Sequence, residues 1–340
     1  MLGNYGFQNQ IRKGWTIFIG VVMVSLLLSG CGGTAAAPKV YHVGILVGVP
    51  VISPIADGFK ARMAELGYVE GKNVVYDTQI TNFDIPTYQT VLKKFVADKV
   101  DLIVVTPTEA AIEAKAIAKG TNIPVVFTYA FTEGTDIIDS VRAPGGNITG
   151  VRYPGIDIAA KRLEVLLKIV PQAKRIWVPY LQGYPTVAAQ LEALAPLAKA
   201  AGVTLIEFPT DPAGIQTELA ARSTLKDVGM DAIVSVVDPL LTYPGVFTAV
   251  GKFAYEHKIP FGGIYDEAQE YKSIVGVDTD LADSGRLAAP LADKVLKGTQ
   301  AGTIPVVTPE NIIQINVKAA IEFGLTVPDG LLEQANKIIR

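Results

Sequence analysis

The side chains best suited to bond-making chemistry are few in this chain. It contains one cysteine, Cys31, and two histidines, His42 and His257. The sequence has no phosphate-binding glycine loop, no dinucleotide-binding glycine motif, no serine-hydrolase elbow and no zinc-protease motif. His42 is expected just before the first strand, and His257 lies near a helix C-terminus, where a cation or a cap is favourable. We therefore expect no catalytic residue, no resident metal ion and no cofactor.

Polar side chains instead follow the apolar runs that we interpret as strands. The predicted ligand-binding residues are Ser53, Thr106, Thr108, Thr128, Tyr129, Tyr153, Tyr180, Asp238, Tyr265, Asp266 and Asp278. Hydroxyls dominate this set in the first half of the chain, and carboxylates and tyrosines dominate it in the second half. That asymmetry suits a zwitterion, with its carboxylate on hydroxyls and helix N-terminal amides and its ammonium group on Asp238 or Asp266. The tyrosines would then form an aromatic wall.

The same residues also have a purely structural interpretation. Hydroxyl and carboxyl side chains that follow strands commonly cap the next helix. Thr106 or Thr108, for example, could cap a helix that begins near Glu109. Composition and spacing leave both interpretations open for each residue of the set.

The lone cysteine follows a long apolar run. Arg12 and Lys13 precede residues 15–30, which are almost all apolar or small, and this is the pattern of an export signal. The run of about 16 residues is short for a bilayer span, which needs roughly 20. Leu28-Ser29-Gly30-Cys31 resembles the bacterial lipoprotein signal, in which the cysteine sulfur is lipidated and the chain is cut just before it.

We therefore expect a signal peptide over residues 1–30 and a lipidated cysteine with a small-residue tether over residues 31–39. The alternative is an uncleaved transmembrane anchor with an idle cysteine. Both interpretations place the bulk of the protein outside the cytoplasm, held at a bacterial membrane. Since no other cysteine exists, a disulfide framework and a thiolate metal site are excluded.

Charge and length narrow the function of the remaining chain. Loss of residues 1–30 leaves 28 basic against 33 acidic residues, and this balance argues against nucleic-acid binding, which favours a basic face. About 310 residues remain, a length that suggests two domains.

Short apolar runs alternate with helical patterns along the first half. The expected strands are 43–47, 73–79, 102–105, 125–128 and 148–151, and the expected helices are 55–66, 86–98 and 109–119. The strands are continuously rich in valine and isoleucine, as in a parallel sheet that is covered on both faces. The strand–helix–strand order predicts an α/β fold with right-handed crossovers.

The second half repeats the first. Five segments match in the same order, 39–43 with 174–178, 66–68 with 201–205, 100–104 with 230–234, 123–125 with 259–261, and 147–151 with 273–277. The repeat predicts two similar α/β lobes. In open parallel sheets the ligand lies beyond the carboxyl ends of the strands, so two facing lobes would form a cleft lined by the polar residues named above.

The whole chain from about residue 40 resembles a known family. The stretches that carry the likeness are 58–60, 66–74, 100–103, 123–128, 144–151 and 326–328. It resembles ABC-transporter substrate-binding lipoproteins of the type I periplasmic-binding fold, in the group related to the tryptophan/tyrosine-type binding proteins. The resemblance implies two doubly wound parallel-sheet lobes joined by three hinge crossings. We expect the crossings near 151–156, 277–281 and 305–311, with lobe 1 formed by 40–151 plus 279–307 and lobe 2 by 152–278 plus 308–340.

The resemblance also implies a function. Such a protein is the extracytoplasmic solute-binding component of an ABC import system and traps a small solute, here an amino acid or an amino-acid-like compound. The implied partners are the solute, a membrane permease and the membrane itself through the lipid anchor. The family's usual positions after strands correspond to Thr106, Thr108, Thr128, Asp238 and Asp266. The alternatives are a ligand sensor for a membrane receptor and a two-lobe hydrolase.

Overall fold

Strands and helices alternate through the part of the chain that the structure describes, residues 39–264 and 270–340 of a computed structural model. Residues 41–340 form one compact unit. The expected signal peptide, Cys31, Tyr265 and Asp266 lie outside the described residues. No helix within the described ranges is long and apolar enough to cross a membrane.

The first lobe is built on a parallel sheet with the order β2-β1-β3-β4-β5. Its strands are β1 (Tyr41–Val47), β2 (Val74–Ile80), β3 (Leu102–Thr106), β4 (Val125–Ala130) and β5 (Ile148–Arg152). Its first three helices are α1 (Pro54–Glu65), α2 (Ile85–Ala97) and α3 (Thr108–Ala118). These elements match the expected ones to within about two residues, the usual uncertainty of element ends. His42 is an exception, since it lies inside β1 rather than before it.

The second lobe is built on a sheet with the order β12-β11-β10-β9-β8-β6-β7. Its strands are β6 (Arg175–Leu181), β7 (Thr204–Thr210), β8 (Ala232–Val234), β9 (Phe261–Gly263), β10 (Val275–Asp278), β11 (Ile312–Asn316) and β12 (Lys337–Ile339). The helices from this point on are α4 (Gly155–Ile169), α5 (Val187–Ala201), α6 (Pro212–Ser223), α7 (Val246–Glu256), α8 (Leu281–Leu296), α9 (Val317–Glu322) and α10 (Asp329–Leu332).

The internal repeat has a direct structural cause. The Asp101 carboxylate accepts a hydrogen bond from the His42 amide at 2.8 Å, at the start of β1. The Asp231 carboxylate accepts from the Lys174 and Arg175 amides at 2.8 Å, at the start of β6. In both lobes an aspartate thus joins the amino ends of two neighbouring strands, and this shared requirement explains the repeated Asp before an apolar run.

Both faces of the first sheet are covered. One apolar core contains Val43, Ile45, Phe59 and Met63 and lies under α1 and α8. The other contains Tyr88, Leu92 and Phe95 of α2 together with the alanines of α3. Helix α8 therefore returns to the first lobe after β10, as the resemblance implied, and the doubly wound fold class is confirmed.

Close approach of α1 and α8 depends on two glycines. A Cβ atom on Gly58 would lie 2.0 Å from the Ala282 carbonyl oxygen, and one on Gly285 would lie 1.9 Å from the Ile55 carbonyl oxygen. Any larger side chain at either position would force the helices apart. This packing holds the chain segment that follows β10 against the first lobe.

The chain passes between the lobes at three places. The first crossing leads from β5 to α4, and the second leads from β10 to α8. The third leads from Val307, which pairs with Val151 of β5, to β11. Strand β11 runs antiparallel to β10, whereas the sequence predicted parallel lobes throughout. The reason is that β10 ends where the chain leaves the second lobe and β11 begins where it re-enters.

Candidate functional site

Two threonines occupy neighbouring strand ends in the first lobe. The register of β3 and β4 pairs Val105 with Phe127, and Thr106 and Thr128 are the residues that directly follow this pair on the two strands. Both side chains are buried, at 2% and 0% exposure. Neither hydroxyl oxygen has a hydrogen-bond partner among the described residues. Since buried polar groups are normally paired, these two hydroxyls indicate a place where a ligand could bind.

A third buried hydroxyl of this kind belongs to Thr279, directly after β10. Thr279 is 7% exposed and lies one residue before the cap of α8, at the second crossing. It was not in the predicted set, because a threonine beside two aspartates carries no distinctive signal.

Thr108 and Ser53 lie at the starts of α3 and α1. The Thr108 hydroxyl oxygen accepts a hydrogen bond from the Phe131 amide at 3.1 Å and so ties α3 to the end of β4. Pro107 occupies the cap position of α3, which has no side-chain cap, so the expectation that Thr106 or Thr108 caps this helix was wrong. Ser53 occupies the cap position of α1, also without a side-chain cap, and is partly exposed.

Two tyrosines form a stacked pair at the first crossing. The rings of Tyr129 and Tyr153 have centroids 4.1 Å apart and planes 28° apart, and Phe131 contacts Tyr153 edge-on at 5.3 Å. Burial raises the pKa of both tyrosine hydroxyls, which therefore stay neutral. The pair is a flat apolar surface with polar ends, suited to contact with another ring or an apolar side chain.

Tyr129 is held in an unusual backbone conformation. Its φ of 52° lies in the left-handed region, which bulky residues rarely adopt. The register between β4 and β5 shifts at this residue, between Thr128 and Ala130, which marks a bulge. Bulges redirect side chains and are over-represented next to binding sites. The distortion therefore supports a functional role for Tyr129.

Asp278 lies beside this pair at the carboxyl end of β10. Its Oδ1 atom accepts hydrogen bonds from the Tyr153 hydroxyl at 2.8 Å and from the Thr279 amide at 2.7 Å. Its Oδ2 atom lies 3.7 Å from Nη2 of Arg162, a fully buried residue of α4. Burial raises the pKa of Asp278, and Arg162 opposes that rise. The structure thus brings together Tyr129, Tyr153 and Asp278 from the predicted set.

Asp238 is engaged by the backbone of its own lobe. Its carboxylate accepts hydrogen bonds from the Leu181 amide and, at 3.2 Å, from the Leu240 amide. Burial raises its pKa to about 6. Asp238 thereby joins the loops that follow β6 and β8. Tyr180, near the end of β6, is partly exposed and packs against the second-lobe core.

The two lobes also touch directly. The Tyr184 hydroxyl, in the loop after β6, donates to Oε1 of Glu109 in the first turn of α3 at 3.3 Å. Burial raises the pKa of Glu109. This hydrogen bond joins the two lobes at residues that were not in the predicted set. Only the docking of the lobes brings them together, so no local pattern could have found the contact.

The predictions about histidine and metals can be compared with the described residues. His257 follows α7, and its Nε2 lies 3.2 Å from the Ser223 hydroxyl, near the surface. Within residues 39–264 and 270–340, no group of three or more histidine, cysteine or acidic side chains could hold a metal ion. The candidate site residues are hydroxyls, tyrosines and the Asp278 carboxylate, which has the buried Arg162 beside it.

This arrangement defines a class of protein. The fold is the type I periplasmic-binding fold, with two doubly wound α/β lobes joined by three crossings. The polar groups described above lie at or near the carboxyl ends of its strands. The chain belongs to the family described as ABC transporter substrate binding protein, whose model matches residues 42–339. The family consists of solute-binding proteins that work outside the cytoplasm with ABC permeases, and not of enzymes.

Individual relatives are similar over most of their length. A tyrosine-binding protein of Clostridioides difficile (strain R20291) is 31% identical over 310 residues, which cover 86% of each chain. The ABC domain from Streptococcus pneumoniae in complex with L-Trp superposes with a TM-score of 0.74 at 26% identity, covering 88% of this chain and 100% of that one.

A substrate-binding protein with adhesive properties from Clostridium difficile, in its ligand-free, open structure, has a TM-score of 0.70 at 25% identity. The match covers 88% of this chain and 99% of that one. These comparisons confirm the family resemblance that the sequence suggested.

Proposed function

We propose that this protein is the solute-binding component of an ABC import system and traps an amino acid or an amino-acid-like solute between its lobes. The observation that carries the proposal is that the buried hydroxyls of Thr106, Thr128 and Thr279, at or near the carboxyl ends of β3, β4 and β10, have no hydrogen-bond partner among the described residues. A ligand with acceptor and donor atoms would supply the missing hydrogen bonds. The tyrosine-binding and L-Trp-bound relatives support an amino acid as that ligand.

The site residues divide the proposed solute into three parts. Hydroxyls of Thr106 and Thr128 face a carboxylate, the stacked Tyr129 and Tyr153 contact the side chain, and Asp278 receives the ammonium group. This assignment moves the ammonium from Asp238 to Asp278, because the Asp238 carboxylate already accepts two backbone amides. Asp266 stays a predicted contact that the described residues do not include.

Binding is proposed to close the lobes about the three crossings. The proposed limits are 40–151 plus 279–307 for lobe 1 and 152–278 plus 308–340 for lobe 2. A solute that contacts both faces stabilises the closed form by its differential affinity for that form. No residue needs to make or break a bond, which agrees with the scarcity of nucleophiles and histidines in the sequence.

The protein is further proposed to be a lipoprotein anchored through Cys31 after removal of residues 1–30. Labelled fatty acid should be incorporated into the wild-type chain and not into Cys31→Ser. An uncleaved anchor predicts a different result. The wild type would then take up no label, and Cys31→Ser would stay in the membrane and keep residues 1–30.

A thermal-shift screen of the full chain in detergent tests the solute class. A ligand that binds only the folded state at about 100 times its dissociation constant stabilises it by about 2.7 kcal/mol. We expect a rise in melting temperature with L-tyrosine or L-tryptophan and none with myo-inositol or ribose. A rise with sugars alone, or with no amino acid, would refute the proposed solute. Thr128→Val should reduce the stabilisation by ligand by about 0.5–1.5 kcal/mol, the contribution of one hydrogen bond, while keeping the melting temperature of the free protein.

A further inference from the structure

A buried arginine lies behind the second-lobe half of the site. Arg162 of α4 is 0% exposed, and its Nε donates to the Val277 carbonyl at 3.0 Å. Its Nη1 donates to the Val236 carbonyl at 3.0 Å and to the Ser235 carbonyl at 3.3 Å. One guanidinium thus joins the chain after β8 to the end of β10. A lysine, with its point charge and shorter reach, could not satisfy three carbonyls in this planar arrangement.

The remaining nitrogen of this guanidinium lies next to Asp278. Nη2 of Arg162 is buried, has no hydrogen-bond partner among the described residues, and forms an ion pair at 3.7 Å with Oδ2 of Asp278. The Asp278 side chain is 32% exposed, whereas that of Arg162 is 0% exposed. The fully buried arginine therefore lies beside a carboxyl group that is largely enclosed by protein but keeps part of its side chain accessible. Because Oδ1 already accepts from Tyr153 and Thr279, Oδ2 is the atom left for a ligand.

We propose that Arg162 is a positioning residue that keeps Asp278 an anion, with Oδ2 directed at the ammonium group of the solute. This inference rests on the proposed function. A carboxyl group surrounded by protein becomes neutral unless a positive charge compensates for the lost hydration. Arginine is suited to that task because it does not lose its proton in proteins. A neutral Asp278 could no longer form an ion pair with an ammonium group, so Arg162 would act on solute selection without touching the solute.

Among the described residues, the other groups around Asp278 do not supply this charge. Tyr153 and Tyr129 face it from the first crossing and from β4, and both are neutral because burial raises the pKa of their hydroxyls. The nearby Asp280 uses its carboxylate to cap α8, accepting from the Asp283 amide at 2.7 Å. Arg162 is the cation that lowers the pKa of Asp278 against the effect of burial.

The consequence is a pH dependence with a definite sign. Protonation of Asp278 at low pH should weaken binding of an amine-bearing solute. Loss of Arg162 removes the group that opposes protonation, so the same weakening should begin at higher pH. A purely structural role of Arg162 predicts instead that its loss weakens binding by one factor at every pH.

Calorimetric titration of the full chain with L-tyrosine and L-tryptophan between about pH 5 and about pH 8 separates these cases. In Arg162→Gln the pH at which half of the affinity is lost should rise by at least about one unit. At a fixed pH below both midpoints, the variant should then bind the amino acid about tenfold more weakly than the wild type. Arg162→Lys should return it toward the wild-type value. Asp278→Asn should bind both amino acids weakly and without this pH dependence. The analogue 3-(4-hydroxyphenyl)propionate, which lacks the ammonium group, should bind weakly to the wild type and to all three variants.

An unchanged midpoint in Arg162→Gln, with affinity lowered equally across the range, would overturn the inference. If Arg162→Gln does not fold, carboxyl-carbon NMR of the wild type decides, with the Asp278 signal assigned by its loss in Asp278→Asn. A signal that shows ionised Asp278 at neutral pH supports the inference, and a protonated one overturns it. Failure of the wild type to bind any amino acid would refute the proposed function, and the NMR result would still decide the charge state of Asp278.

Discussion

The hydrogen bond between Tyr184 and Glu109 allows a test of how the lobes close. Tyr184→Phe removes the hydroxyl that spans the lobes at 3.3 Å and keeps the ring, which packs against the second-lobe core. A hydrogen bond of this kind contributes about 0.5–1.5 kcal/mol. Because the contact joins the two lobes, its loss should destabilise the closed form relative to the open form.

The size of the effect follows from the closing equilibrium. If ligand binds the closed form, apparent affinity falls in proportion to the population of that form. A loss of about 0.5–1.5 kcal/mol corresponds to about a 2- to 12-fold weaker apparent affinity. The change should appear as faster solute release, since most affinity differences between related complexes lie in the dissociation rate.

The matched control is Tyr68→Phe. The Tyr68 hydroxyl donates to Oδ1 of Asp293 at 2.9 Å within the first lobe, so its loss should lower the free energy of unfolding and leave solute affinity unchanged. Calorimetry for affinity and urea unfolding for stability separate the two variants. Equal affinity in Tyr184→Phe and the wild type, with both folded, would show that the contact does not stabilise the liganded form.

Three further outcomes are expected. Burial raises the pKa of Glu109 in the folded protein above its unfolded value, so the folded state binds more protons than the unfolded state between these two pKa values. The free energy of unfolding should therefore fall as pH rises through this range. Urea unfolding of Glu109→Gln should lack this fall, and a pH profile identical to that of the wild type would contradict the argument. Thr106→Val and Thr128→Val remove hydroxyls that have no hydrogen-bond partner in residues 39–264 and 270–340, so the free energy of unfolding should be unchanged or higher. Calorimetric affinity for the solute should fall by about 0.5–1.5 kcal/mol per lost hydrogen bond. Gly58→Ala places a Cβ atom 2.0 Å from a carbonyl oxygen of the facing helix and should destabilise the protein by about 1–3 kcal/mol in urea unfolding. The control Gly330→Ala has open space around its Cβ atom, so its free energy of unfolding should stay within about 0.5 kcal/mol of the wild-type value. Equal stability of the two variants would refute the packing argument.

Much of the fold could be predicted because its determinants are local. Each strand of the first lobe is a short valine- and isoleucine-rich run, and each ends close to the predicted residue. The repeat predicted two lobes correctly, since Asp101 and Asp231 meet the same backbone requirement in each. The antiparallel direction of β11 has no local sequence signal, because it depends on where the chain re-enters the sheet.

The sequence by itself determined the family, the fold class, the two lobes and the strand ends at which Thr106 and Thr128 lie. Their positions follow from apolar periodicity and chain order, which are properties of neighbouring residues. Tertiary structure alone decided which of the predicted polar groups share a site. Tyr153 meets Asp278 across 125 residues of chain, and Arg162 meets Val277 across 115. A buried arginine inside an ordinary helix has no sequence signal, because its charge gains a partner only when the sheet, the helix and the crossing pack together.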